Sequence, residues 1–249
     1  VAENKSLYQE LMEIISTTHD TEVIKFLNFL KEGTPFAFAR FNDGEMGGIE
    51  KVGTAIARHD QIVNKELQDK LIEALQHQQE NYWVGIVCSE CYPHFKELSD
   101  KYTDDTYEYF TQACVLTNRN WLKFIQEFPK VIPDNKLIWY GGNDQDVQKL
   151  NDIGIFPKLI IHTKTQDSWS EYEKIKETSK EFADGDVVCM SIGPLSRVLA
   201  AEWFNEYTNV TFIDIGSTFD PFTRDVKHNC HKGWMETGTN LCRKCKECN

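Results

Sequence analysis

Two carboxylates, Asp43 and Glu45, stand one residue apart in R-F-N-D-G-E (40–45), where an apolar run, F-A-F-A-R-F (36–41), ends. In extended backbone, residues two apart project to the same side. Such a pair repels unless a cation lies between its members. Hard oxygen ligands suit magnesium or manganese, ions that keep several waters and bridge to substrate phosphates. Gly44 lets the chain turn there and lets a ligand approach the backbone. The bland alternative is a solvated turn in which Asp and Gly are simply turn formers.

Two further stretches carry chemistry. In S-I-G-P-L-S-R-V-L-A (191–200), Gly193 closes an apolar run and Pro194 occupies the first helical position, which proline favours. The helix would aim its free N–H groups and positive dipole end at an anion. Arg197, one turn in, either adds charge to a bound phosphate or faces solvent. In F-I-D-I-G (212–216), Asp214 can accept from a sugar hydroxyl or cap the next segment, with Asp220 in reach of the same edge. Arg40 and Arg119 are further phosphate candidates, and Asp220 or Asp60 could be a general base for an acceptor hydroxyl. There is no G-x-G-x-x-G and no G-x-x-x-x-G-K-[ST], so nicotinamide, flavin and P-loop chemistry are poorly supported.

These residues need elements to hold them. Leu7, Leu11, Ile14 and Ile15, then Val23, Ile24, Leu27 and Leu30, recur at helical spacing, predicting a helical hairpin before Gly33 and Pro35. Short apolar runs then alternate with helix-like stretches. The runs are 36–41, 82–88, 113–118, 136–142, 159–164, 186–193 and 210–216; the stretches include 64–79 and 168–183. That rhythm predicts β-α-β crossovers: one α/β domain, Rossmann-like, with a mostly parallel sheet and helices on both faces. Ligands in such sheets sit beyond the carboxyl ends of the strands, where Asp43, Glu45, Arg119, Gly193 and Asp214 all fall.

Composition limits the partners. The chain of 249 residues is long enough for one large domain, and its net charge of -12 argues against a general nucleic-acid or anionic-membrane surface. A phosphate site in so acidic a protein needs a local cation: a metal, a few arginines or a helix end. No run approaches the roughly 18–20 apolar residues of a membrane span. The opening residues read as the start of an amphipathic helix rather than a signal peptide.

Four of eight cysteines crowd the last twenty residues, a clustered pattern unlike a disulfide framework, which suggests a reducing, cytoplasmic setting. Residues 219–249 have little hydrophobic periodicity and read as a Cys/His-rich tail beyond a 1–218 domain. H-N-C-H-x10-C-x2-C-x2-C (228–248) could supply a structural zinc through Cys230, Cys242, Cys245 and either Cys248 or a histidine; disulfides, an iron–sulfur cluster or free thiols are the alternatives. Cys88 and Cys91 read as a buried strand end rather than a redox pair.

Taken together, R-F-N-D-G-E resembles the R-F-G-D-G-E signature of the GT-D fold glycosyltransferases, a former domain-of-unknown-function family. S-I-G-P-L-S-R-V-L-A resembles that family's G-P-x-x-x-V-L-A segment, F-I-D-I-G its D-I-G-H, and Q-D-S-W-S-E-Y-E-K-I (166–175) its N-A-[FW]-x-x-Y stretch. The four occur in order across roughly residues 36–217. Asn42, Asp167 and Ser217 replace the usual Gly, Asn and His. The resemblance implies transfer of a sugar from a nucleotide-sugar donor, a UDP-sugar foremost, to a hydroxyl of a glycan or glycoconjugate. It further implies manganese or magnesium at Asp43 and Glu45. Arg40, Asn42, Gly44, Arg119, Gly193, Pro194, Arg197 and Asp214 are the residues expected to line the donor site. The rival expectations are an S-adenosylmethionine methyltransferase, suggested by D-I-G, and a non-catalytic binding module.

Overall fold

The computed structural model describes residues 22–56, 61–89, 91–104, 106–117 and 120–224. Most of the expected helical hairpin, the candidates Asp60 and Arg119, and the tail cysteines Cys230, Cys242, Cys245 and Cys248 lie outside the described residues.

Helix α1 (22–32) buries Val23, Phe26, Leu27 and Leu30, the i, i+3, i+4, i+7 stripe of an amphipathic helix. It ends at Gly33, whose φ of 68° is left-handed. The strands that follow are β1 (Ala37–Phe41), β2 (Ala55–Ile56), β3 (Gln61–Ile62), β4 (Tyr82–Ile86), β5 (Phe110–Gln112), β6 (Leu137–Gly142), β7 (Leu159–Thr163), β8 (Val187–Ser191) and β9 (Thr211–Asp214). The helices between them are α2 (Asp43–Glu50), α3 (Lys65–Gln76), α4 (Pro93–Asp100), α5 (Trp121–Val131), α6 (Tyr172–Lys176), α7 (Leu195–Glu206) and α8 (Asp220–Thr223). Among the described residues, seven strands form one sheet in the order β5-β4-β1-β9-β8-β6-β7, with every pairing parallel. The α/β, Rossmann-like expectation holds. A short antiparallel pair, β2 with β3, stands apart from the sheet.

Both faces of the sheet are covered, as a parallel sheet requires. Ala37, Ala39 and Phe41 face one layer, with Met46 of α2, Leu67 and Leu71 of α3, and Leu199 and Trp203 of α7. Phe36 and Phe38 face the other, with Phe26 of α1, Phe124 and Phe128 of α5, Leu150 and Phe219. The chain therefore leaves β1 into α2 on the first layer but leaves β9 toward α8 on the second. Since β1 and β9 are neighbours, their carboxyl ends form the topological switch point, the place at which open α/β sheets have their ligand crevice.

Four expectations shift. The apolar run 113–118 is not the strand: β5 precedes it, and Ala113, Val115 and Leu116 are buried in turns. The long helix over 168–183 is α6 flanked by 3-10 turns over 168–171 and 177–181. Phe219 is buried against Trp139, with ring centroids 5.4 Å apart, so residues 219–224 continue the packed domain and are not tail. Cys88 and Cys91 are half-buried in the loop after β4 rather than fully buried.

One polar knot locks the first layer. Glu202 of α7 accepts from Tyr172 Oη at 2.7 Å and pairs with Lys70 of α3 at 3.1 Å and Lys176 of α6 at 3.0 Å. Burial works to raise the Glu202 pKa, but the hydrogen bonds from Tyr172, Lys176 and Lys70 outweigh it and the value is lowered. A carboxylate with a depressed folded-state pKa stabilises above its unfolded value and loses that contribution as pH falls through the folded one. Wild type should therefore lose stability on acidification below about pH 4.3 that Glu202→Gln has already lost at neutral pH. Chemical denaturation at pH 7 and pH 3 measures this; equal differences at the two pH values would contradict it.

Candidate functional site

The carboxyl end of β1 is held by a buried ion cluster. Ladder pairing of β1 with β9 is recorded for Ala37 with Phe212 and Phe38 with Ile213. Two residues on, the backbone N–H of Arg40 donates to Asp214 Oδ2 at 3.2 Å, so the carboxylate of Asp214 serves as an acceptor at the end of the ladder. Asp214 is fully buried and also receives the N–H of Gly216 at Oδ1, 3.1 Å away. Arg197 enters from α7: its Nε donates to the Arg40 carbonyl at 2.6 Å and lies 3.0 Å from Asp214 Oδ2. Its Nη1 donates to the Gly193 carbonyl, and its Nη2 stands 3.4 Å from Glu45 Oε1. Arg197 thus ties the ends of β1, β8 and β9 to α2. It lies beneath the crevice as a brace and does not face outward to a phosphate.

Asp43 and Glu45 are not in extended backbone. Asn42 is the N-cap of α2, and both acids stand in its first turn. At about 100° per residue, helical positions two apart point in nearly opposite directions. Glu45 turns inward and is buried, its Oε2 accepting the Asn42 backbone N–H at 3.1 Å in the manner of a capping box. Asp43 turns outward and is exposed, its Oδ2 accepting from Tyr92 Oη at 3.3 Å. Acidic residues in a first turn also favour the helix dipole. Gly44 serves packing rather than a ligand: a Cβ there would stand 2.9 Å from Ile56 Cγ2.

Arg40 differs from its neighbour. It is 6% exposed, yet its guanidinium makes no hydrogen bond among the described residues. Its Nε lies 3.6 Å from Asp214 Oδ2, an ion pair without a bond. The guanidinium is laid across Gly216, where a Cβ would fall 1.5 Å from Nη2. Gly216 has φ of 44°, so both its backbone angle and the close approach require glycine. Gly193, with φ of 62°, turns the chain from β8 toward α7. Pro194 is the N-cap of α7 rather than its first helical residue. The N–H groups of Ser196 and Arg197 bond back to the carbonyls of Gly193 and Pro194, which leaves that helix end less able to hold an anion than its sequence suggests.

Asp220 belongs to a second group, beyond β6 and β8. Its Oδ1 accepts from Gln145 Nε2 at 2.9 Å and lies 3.1 Å from Arg224 Nε. Gln145 also donates to Ser191 Oγ at 3.0 Å, while Arg224 Nη1 reaches Asp144 Oδ2 at 2.5 Å. Sequence reasoning missed Tyr92, Gln145, Ser191 and Arg224. Only Ser191 carried a signal, as the last residue of a strand; Tyr92 and Gln145 are loop residues without periodicity.

Superposition on solved structures identifies the architecture. A glycosyltransferase (DUF1792) from Streptococcus sanguinis is similar at 18% identity and a TM-score of 0.63, over 88% of this chain and 85% of that one. A second structure, described as showing that the highly conserved domain of unknown function 1792 has a distinct glycosyltransferase fold, matches at 17% identity and a TM-score of 0.60, over 88% and 82%. The fold is that of the DUF1792 domains. A selenomethionine form of a DUF1792 domain gives a TM-score of 0.63 at 17% identity. No protein-family model matches the sequence, and no curated protein is significantly similar to it. The likeness is therefore one of DUF1792 fold, reached at an identity too low to carry residue roles.

Among the described residues no three His, Cys, Asp or Glu side chains converge as a ready metal cage. What the crevice offers is one exposed carboxylate, Asp43, with Glu45 turned to Arg197. That donor set fits magnesium or manganese, which use one or two carboxylates plus substrate phosphates and water. It does not fit an ion held by protein alone. No helix among the described residues is long and apolar enough to cross a membrane.

Proposed function

We propose that this chain is a metal-dependent glycosyltransferase, moving a sugar from a nucleoside-diphosphate donor, a UDP-sugar foremost, to a hydroxyl of a glycan or glycoconjugate. One observation carries the reading: at the β1–β9 switch point, a buried arginine, Arg40, whose Nε has no hydrogen-bond partner among the described residues, stands at the strand's end three residues before an exposed carboxylate, Asp43. Leaving diphosphate gains charge as the glycosidic bond breaks, and fixed cations stabilise charge best where it develops. Arg40 supplies one cation. A divalent ion held by Asp43, with Glu45 behind it, would supply the other and screen the diphosphate. The DUF1792 fold, described as a glycosyltransferase fold in its solved examples, supports the same reading. Asp220 is the candidate general base. The methyltransferase alternative loses its motif, because Asp214 and Gly216 of D-I-G are occupied in bracing β1. The clustered cysteines favour a reducing, cytoplasmic setting.

Calorimetric titration with UDP-, GDP- and dTDP-sugars, with and without manganese, tests the reading. One donor should bind in a manganese-dependent way, and Asp43→Ala should weaken it at least tenfold, about 1.4 kcal/mol, with the fold intact. Absence of binding by every donor to folded wild type would sink the assignment.

A further inference from the structure

A cavity of about 720 Å³ opens at the carboxyl ends of β4 and β5, beside the crevice described above. Its inner wall is Ile86 and Val87, with Phe110 of β5 as a half-buried aromatic side. Ile86 pairs in register with Phe41, so this wall begins one strand spacing, about 5 Å, from the residue that precedes Asn42. The loop leaving it carries Tyr92, whose hydroxyl rests on Asp43. The cavity and the phosphate crevice are neighbours along one edge of the sheet.

Its lining decides what it can take. Lys96 is the sole cation among the described lining residues, and it is paired with Asp100 one helical turn away. Glu22, Asp100 and Asp104 bring carboxylates, so a second phosphate would be repelled. Ser89, Thr103 and Gln112 add hydroxyl and amide groups; Gln112 accepts at Oε1 from Cys114 Sγ at 3.6 Å, which leaves its amide nitrogen for another partner. Asp104 is set in place by Thr106, whose N–H and hydroxyl reach Oδ1 at 2.9 and 2.7 Å. Carboxylates, hydroxyls and an amide around an aromatic side complement a ring that carries many hydroxyls and no charge. The volume lies within the range of small-molecule sites, roughly 300–1,000 Å³.

We propose that this cavity binds a neutral polyhydroxylated ring, a sugar, next to the diphosphate crevice. The proposal rests on the reading of the chain as a glycosyltransferase, where two sources of such a ring exist: the ribose of the donor nucleoside and the acceptor saccharide. Saturation-transfer NMR with uridine and with the methyl glycosides of glucose, galactose and N-acetylglucosamine separates them. Ser89→Trp and Thr103→Trp, both on loops, fill the cavity; thermal melts confirm that they fold. Manganese pyrophosphate, titrated in parallel, reports on the crevice alone and is compared with Asp43→Ala.

The expected result is that at least one ring probe binds wild type and binds both tryptophan variants at least tenfold more weakly, while pyrophosphate binding is unchanged in them. Loss confined to uridine assigns the cavity to the donor, and loss confined to a glycoside assigns it to the acceptor. If no ring probe binds folded wild type, or if all bind the variants as they bind wild type, the proposal is overturned. Failure of pyrophosphate to bind wild type would instead count against the glycosyltransferase reading, whatever the ring probes do.

Discussion

Asp214→Ala is expected to destabilise the protein by about 3–5 kcal/mol, the range for breaking a buried ion pair by removing one partner. The carboxylate is fully buried and answers two arginines, Arg197 at 3.0 Å and Arg40 at 3.6 Å, as well as two backbone N–H groups. Its removal takes the acceptor from the Arg40 N–H and leaves two buried guanidinium groups without this counter-charge. Asp214→Asn keeps one oxygen and the shape but not the charge, and should fall between wild type and alanine. Urea unfolding measures all three. A cost under about 1 kcal/mol for alanine, the range of exposed pairs, would mean that the cluster is far more solvated than its burial indicates.

The second large effect separates stability from binding. Gly216→Ala places a methyl where the Arg40 guanidinium lies, and neither can stay. The left-handed φ of 44° adds strain, so the fold should lose on the order of 1–2 kcal/mol from backbone alone. Arg40 is the more movable partner, its Nε having no hydrogen-bond partner among the described residues. It should swing away, and affinity for manganese pyrophosphate should fall at least tenfold in a protein that still melts cooperatively. Binding at wild-type affinity would show that Arg40 does not serve the anion.

Much of the scaffold was legible. The runs that became β1, β4, β6, β7, β8 and β9 are short, apolar and bounded by turn residues, and strands buried on both faces have that appearance. The run 113–118 has it too, but period alone cannot separate a buried strand from buried turns. The strand fell just before it, at the more polar Phe110–Gln112. At the site, the sequence marked Arg40, Asp43, Glu45, Arg197 and Asp214 as candidates, and the structure ties Arg40, Glu45, Arg197 and Asp214 together at the ends of β1, β8 and β9. Their division of labour was hidden. Whether an arginine points at a ligand or at a neighbouring carbonyl depends on side chains more than a hundred residues away, as with Arg197 and Arg40. The helical setting of Asp43 and Glu45 was hidden for a different reason. Three glycines in eight residues argue against a helix, yet Gly44 and Gly48 are there because Ile56 and Val63 press against them.

The bond between Arg40 and Asp214 spans 174 positions of the chain. β1 can pair with β4 early in synthesis, but its other edge has no partner until β9 emerges. At ribosomal speeds of 5–20 residues per second, that interval is about 9–35 s. For so long the nascent chain presents one open edge of β1, a template for pairing with other chains. The residues that complete the candidate site are also the ones that end this exposure, so the open edge closes only when the site is assembled.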